Sequence, residues 1–190
     1  MTDTYSPSAY VGPDYPRWSQ TLSDGTWVLI RPIGRQDAKA EREFIQGLSA
    51  QSKRMRFLGQ ISDPSDDFIE RLTDIDYVND VALAALAQVG GKEKVVGVSR
   101  YAADASRERC ESAIVVADDW QGKSLGTALM HKLIKIAQER GLRLMESTDF
   151  AENTEMRELA ADLGFHCRPD PNDARQVIYS LPLNDYKTGA

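Results

Sequence analysis

The most constraining stretch of this chain is a change of period. Cys110–Val116 is apolar and β-branched at its end, which reads as a strand. From Leu125 the apolar residues recur at helical spacing, with Leu125, Leu129, Leu133, Ile136 and Ala137 on one face, until Gly141 supplies a stop. Between the two lies Asp118-Asp-Trp-Gln-Gly-Lys-Ser-Leu-Gly-Thr127, a short loop rich in small residues. A strand, a tight loop and a long amphipathic helix belong to a mixed α/β layer structure.

The rest of the chain fits that class. Trp27–Ile30 reads as a strand halted by Arg31–Pro32. Asp37 can cap a helix running to about Leu48, with Ala40, Phe44, Ile45 and Leu48 on one face; Ser49 can cap a second short helix through Phe57, and Ser65 precedes Phe68, Ile69 and Leu72, a third. Val81–Val89 and Val95–Tyr101 are strands joined by a Gly90–Gly91 hairpin turn. Arg143–Thr148 is a strand, Asn153–Leu163 a helix ended by Gly164, and Phe165–Cys167 and Gln176–Leu181 are closing strands. The expected organisation is an arm over residues 1–20, with Pro7, Pro13 and Pro16, one domain over 21–185, and a tail over 186–190.

Composition narrows the function classes. At 190 residues, 42% hydrophobic and 27% charged, the chain suits one ordinary globular domain. Its net charge of −6 and its scattered Lys and Arg do not form a nucleic-acid footprint. No run of about 18 apolar residues spans a membrane. The first residues lack a secretory pattern, so a cytoplasmic location is expected. Cys110 and Cys167 share no metal-ligand spacing with His131 and His166; two buried reduced thiols and no metal are expected. His131 lies off the apolar helix face and reads as exposed and without a role. The acidic residues Asp63, Asp66, Asp67, Asp74, Asp76 and Asp80 could draw a basic substrate, although such charges commonly cap helices and solvate a face.

The loop is a candidate anion site. N–H groups in the first turn of a helix have no internal partner, and the helix dipole favours negative charge there. Gly122, Ser124 and Gly126 allow close backbone approach, and Lys123 adds charge. A tight strand-to-helix turn would use the same residues. Gly122-Lys-Ser124 is not a triphosphate loop, because the required upstream glycine is Ala117. The dinucleotide glycine spacing is also missing.

Gln121-Gly-Lys-Ser-Leu-Gly126 resembles the Gln/Arg-x-x-Gly-x-Gly/Ala motif of GNAT N-acetyltransferases. Asn153-Thr-Glu-Met-Arg-Glu-Leu-Ala-Ala-Asp-Leu-Gly-Phe165 resembles the second landmark of that family, an Asn-opened helix ending in Gly-Phe. With Trp27–Asp37, Leu48–Leu58, Leu72–Tyr77 and Val95–Tyr101, the likeness runs from about Tyr15 to Leu183 and is greatest to the acetyltransferase domain of bacterial Pat-type protein-lysine acetyltransferases. The resemblance implies an α/β (α+β) fold with a mainly antiparallel sheet of about six to seven strands flanked by helices. It implies acetyl-CoA as cosubstrate, held by Val115, Val116, Gln121, Gly122, Lys123, Ser124, Leu125, Gly126, Thr127, Asn153 and Met156. Ser124 replaces the first motif glycine, so affinity should fall if its φ is positive and be kept if φ is negative.

Amine acetylation needs a base, because an ammonium has no lone pair and lysine is protonated near neutrality. The resemblance places a catalytic glutamate at Glu111, and Glu146 on the next strand is the rival. Many GNAT enzymes protonate the departing thiolate with a tyrosine at the place of Ala160, which fits the Pat-type pattern instead. The expected reaction is direct attack by a primary amine, a protein lysine ε-amine, on acetyl-CoA. The alternatives are a polyamine or amino-acid acetyltransferase and a catalytically weak acyl-CoA sensor.

Overall fold

The computed structural model describes residues 11, 12, 15–59, 63–184 and 186; most of the expected arm and tail lies outside them. Among the described residues eight strands form a single sheet: β1 (Trp18–Thr21), β2 (Trp27–Pro32), β3 (Asp80–Val89), β4 (Lys92–Ala103), β5 (Arg109–Val116), β6 (Leu144–Phe150), β7 (His166–Pro169) and β8 (Gln176–Pro182). Their order across the sheet is β1-β2-β3-β4-β5-β6-β8-β7, and every pair is antiparallel except β5 with β6. The helices are α1 (Ala38–Gly47), α2 (Ala50–Phe57), α3 (Asp66–Thr73), α4 (Leu125–Glu139) and α5 (Thr154–Asp162).

The sheet is covered on both faces, which explains the sequence of β3. Val81, Leu83, Ala85 and Ala87 join the core beneath α4, while Ala82, Ala84 and Leu86 join a second core beneath α1 and α3. A strand buried on both sides loses the alternating pattern and reads as one apolar run. On the first face α4 contributes Leu125, Leu129, Leu133, Ile136 and Ala137, the stripe expected from the sequence, together with Met130 and Ile134. On the second face α1 contributes Phe44 and Ile45.

Local signals behaved unevenly. Ser49 and Ser65 cap α2 and α3 by accepting the N–H of Ser52 and Phe68. Asp37 does not cap α1 with its side chain. Its carboxylate instead takes both outer nitrogens of Arg31, at 2.7 and 2.8 Å, and the N–H of Gly34. A bidentate arginine outcompetes a single cap bond. The one strand beyond the expected six to seven is the edge strand β1, which hydrogen-bonds to β2 and begins inside the stretch expected to be an arm. Cys110 is buried and its thiol is pushed up to about 12, first by burial and then by Asp104. Cys167 is exposed, against expectation, because it lies on the edge strand β7. His131 is half-buried rather than exposed, with its ring 6.5 Å from that of Tyr186. The acidic residues serve local structure: Asp74 and Asp66 pair with Arg35 and Arg42, and Asp76 accepts the N–H groups of Val78, Asn79 and Asp80.

Gly97 fixes the height of α4 over the sheet. A Cβ there would stand 3.0 Å from Leu129 Cδ1 and 3.2 Å from Leu125 Cδ2, so the helix touches β4 backbone at this point. Just before it, β4 carries a bulge: Leu86 pairs Val95 and Ala85 pairs Gly97, leaving Val96 without a partner on β3. We predict that Gly97→Val destabilises the fold by about 1–3 kcal/mol through overpacking. The same substitution should weaken acetyl-CoA binding, because it lifts the N-terminal turn of α4. Chemical denaturation and calorimetry read the two effects.

Candidate functional site

Strands β5 and β6 form a fork. They pair in parallel only at Arg109–Leu144, Cys110–Met145 and Glu111–Glu146. Beyond that point β5 continues against β4 as far as Val116, and β6 continues against β8 as far as Phe150. The Ser112 hydroxyl donates to the carbonyl of Glu146 at 3.1 Å, the last stitch before the strands part. Along an antiparallel strand successive residues turn their N–H and C=O groups to opposite sides. Ala117 donates to Val96 of β4, so the backbone groups of Ile114 and Val116 face the other way, into the fork. Gln121 confirms the direction by donating from its side chain to the carbonyl of Val116.

The open end of the fork leads to the start of α4. Ala128 is the first residue of that helix to bond back, to the carbonyl of Ser124. The N–H groups of Leu125, Gly126 and Thr127 take no backbone acceptor among the described residues. Gly122 has a φ of +68° and Ser124 a φ of +64°. For serine this left-handed geometry costs about 1–2 kcal/mol relative to glycine. The side chain offsets part of that cost: its Oγ donates to the carbonyl of Lys123 and accepts the N–H of Ser23 at 3.2 Å. Gly126 has a packing role besides its place in the loop, since a Cβ there would lie 3.3 Å from Leu159 of α5.

The fork, this loop, α2 and the start of α5 enclose a cleft of about 740 Å³. That volume falls in the usual range for sites that hold a cofactor-sized ligand. Of the residues expected to hold acetyl-CoA, Val115, Val116, Gln121, Gly122, Ser124, Leu125, Gly126, Thr127, Asn153 and Met156 line it. Lys123 turns aside, its Nζ 3.2 Å from Asp24 and 5.1 Å from the centre of the Trp120 ring. Asn153 is committed locally: its Oδ1 accepts the N–H of Met156 and its Nδ2 donates to Asp149. Glu111 lies at the apex of the fork, exposed and outside the cleft lining.

Three features of the site escaped the sequence reading. The first is α2, which places Ser52, Met55 and Arg56 on the cleft wall. Burial pushes the Arg56 guanidinium down to about 10, assisted by Arg100 and opposed by Glu41, Glu111 and Asp149. The second is Asp118, whose carboxylate accepts the N–H and hydroxyl of Ser49 and the hydroxyl of Ser52, at 2.6–3.0 Å. Burial alone would raise Asp118, but these bonds outweigh it and hold the carboxyl below its ordinary value. They tie the loop to the N-terminus of α2. The third is Asp149, buried at 9% exposure on the cleft wall. Burial pushes it up to about 6 despite hydrogen bonds from Phe150 N–H and Asn153 and the charge of Arg56. An Asp followed by an Asn four residues later was the one available signal.

The cleft offers an open strand edge and, beyond it, helix N–H groups with no backbone acceptor among the described residues, a combination suited to an extended amide-bearing chain with an anionic end. Residues 51–165 match the model of the acetyltransferase (GNAT) family. The chain belongs to that family. The acetyltransferase PA5475 of Pseudomonas aeruginosa is 43% identical over 93% of this chain and 95% of its own length. The acetyltransferase Pat of Mycolicibacterium smegmatis is 25% identical over 74% of this chain, which spans 41% of that longer protein. The GNAT domain of S. lividans PAT superimposes with a TM-score of 0.80 at 27% identity, covering 88% of this chain and 99% of that domain. This GNAT protein is therefore an acyl-CoA-dependent N-acetyltransferase with acetyl-CoA as its cosubstrate. Among the described residues no group of His, Cys, Asp and Glu is arranged to hold a metal. No helix described is long and apolar enough to cross a membrane.

The Ser124 geometry yields a paired prediction. Ser124→Ala keeps the left-handed strain and loses both hydroxyl bonds, so it should weaken acetyl-CoA binding about fivefold, equivalent to ~1 kcal/mol. Ser124→Gly removes strain and bonds together and should bind at least as tightly as the wild type. Calorimetric titration with acetyl-CoA decides both.

Proposed function

We propose that this enzyme transfers the acetyl group of acetyl-CoA to a protein lysine ε-amine, with Glu111 as general base. The observation that carries the assignment is the contrast between the two glutamates at the apex of the fork. Glu146 is held by Arg109 and, at 3.5 Å, by Arg168. Two guanidinium partners occupy its carboxylate oxygens, so an incoming ammonium meets no free oxygen there. Glu111, its register partner, is exposed and takes no ion pair among the described residues. It stands where the acyl end of a ligand laid along the open edge of β5 would stop.

In this reading the ligand's phosphates meet the N–H groups of Leu125, Gly126 and Thr127. Its arm pairs with the backbone of Val116 and Ile114, and its thioester carbonyl points at a β5 N–H that steadies the developing oxyanion. Glu111 takes a proton from the incoming ammonium, directly or through a water, and the free amine attacks the carbonyl carbon. The exposure of Glu111 on an open face supports an acceptor presented by another protein, and the likeness to Pat-type enzymes supports the same class. Burial of the amine near Glu111 would further favour its neutral form.

The test is a turnover screen against lysine-bearing proteins, polyamines and amino acids in parallel. We expect acetylation of protein lysines, with Glu111→Gln lowering kcat by about 10²–10⁴-fold while acetyl-CoA binding is unchanged. Full activity in Glu111→Gln overturns the base assignment. Turnover confined to polyamines or amino acids overturns the acceptor class.

A further inference from the structure

The family's usual thiolate acid is missing, since its place is taken by Ala160, which is 1% exposed in the core. The cleft has another acid in a suitable position. The register Glu111–Glu146, counted onward along both strands, sets Asp149 across the fork from Ile114. Asp149 is thus three residues past the apex, about 10 Å along β6. It stands on the wall facing the open edge of β5, between the apex where the amine arrives and the loop that meets the phosphates. A thioester sulfur lies between those two ends of the ligand.

The cleft's other carboxylates are committed elsewhere or stand on α5, as Glu155, Glu158 and Asp162 do, rather than on the strand that faces β5. Asp118 is locked by Ser49 and Ser52, and Glu152 is paired with Arg54. Asp149 is fixed in orientation, with Phe150 N–H on Oδ1 at 2.7 Å and Asn153 Nδ2 on Oδ2 at 3.0 Å. The charged and titratable groups that act on it are Arg56 from α2 and, more distantly, Tyr179 from β8. Asn153 also caps α5, so the side chain that steers Asp149 is itself held by a helix.

We propose that Asp149 is a catalytic residue of this enzyme, the acid that protonates the departing thiolate. The inference rests on acyl transfer in this cleft as read above. As the amine's N–C bond forms and the C–S bond breaks, the electron pair of that bond goes to sulfur. Asp149 gives sulfur its proton, leaving free CoA thiol and an Asp149 carboxylate. The carboxylate recovers a proton from solvent when the product leaves. The buried site, which already holds Asp149 up to about 6, keeps a larger share of it protonated near neutrality than an exposed aspartate would have. A bound pantetheine arm excludes more water and extends that effect.

Hydroxylamine separates this proposal from the base assignment, because it is a small nucleophile already unprotonated near neutrality and needs no base. Rates with hydroxylamine and with a lysine-bearing peptide are measured across pH for the wild type, Glu111→Gln and Asp149→Asn, alongside acetyl-CoA affinity by calorimetry. We expect Asp149→Asn to lose about a hundredfold in kcat with either acceptor, to bind acetyl-CoA within threefold of wild type, and to lose the alkaline fall of the profile. Glu111→Gln should fail with the peptide and be restored by hydroxylamine. A carbon-13 carboxyl titration of Asp149 in the CoA complex should show it protonated at higher pH than in the free protein. An Asp149→Asn rate within threefold of wild type overturns the proposal. So does a reduced rate with the alkaline limb unchanged, which would make Asp149 only a support for Asn153. Failure of Glu111→Gln to lose activity with the peptide overturns the base assignment and leaves the acid standing.

Discussion

The site depends on a parallel strand pair that stops after three residues. Past Glu111 and Glu146, β5 and β6 each keep a neighbour on one side and expose a row of N–H and C=O groups to the other. Such groups are costly to leave unpaired away from water. A ligand with amides along its length can satisfy them, as an added strand would. The fork is held open because both strands are pinned on their outer sides, β5 to β4 up to Val116 and β6 to β8 up to Phe150. The helices complete the cleft. Gly97 lets α4 sit against the sheet so that its free first turn faces the open end, and Gly126 lets α5 close against α4.

Electrostatics divides the cleft into zones. At the loop, free N–H groups and the helix dipole favour anions, and Lys123 is drawn away to Asp24. At the apex, Glu111 is open while Glu146 is bound by arginines. Between them lie buried Asp149 and half-buried Arg56, both on the cleft wall. Asp118 connects the first zone to α2, and so to Arg56, through the two serines at the start of that helix.

Much of this was legible in the sequence, for identifiable reasons. The stripe Leu125, Leu129, Leu133, the stop at Gly141 and the cap at Ser49 are local signals, and the structure realises them locally. The loop residues were singled out by the likeness of Gln121–Gly126 to the family motif, since small residues at a strand-to-helix turn fit a plain turn equally well, and all of them but Lys123 line the cleft. Asp37 holds the N-cap position of α1 as expected, but an arginine six residues earlier outbids the helix end for its carboxylate. Cys167 was misread because nothing in its neighbours marks an edge strand. Asp149, Arg56 and Asp118 gained their roles only through contacts between distant segments, such as the pairing of residues 49 and 118. Ser124 shows the intermediate case: its left-handed φ was posed as a question by the sequence, and the hydroxyl bond to Ser23, far along the chain, supplies the compensation.

The central claim is that acetyl-CoA lies in the fork with its phosphates on the first turn of α4. Amide nitrogen–proton spectra recorded during titration with acetyl-CoA address it directly. The account predicts the largest shifts at Gly122–Thr127 and at Ile114 and Val116, with β1 and β2 unaffected. Largest shifts on another face of the sheet, with the loop and the β5 edge unmoved, would contradict it.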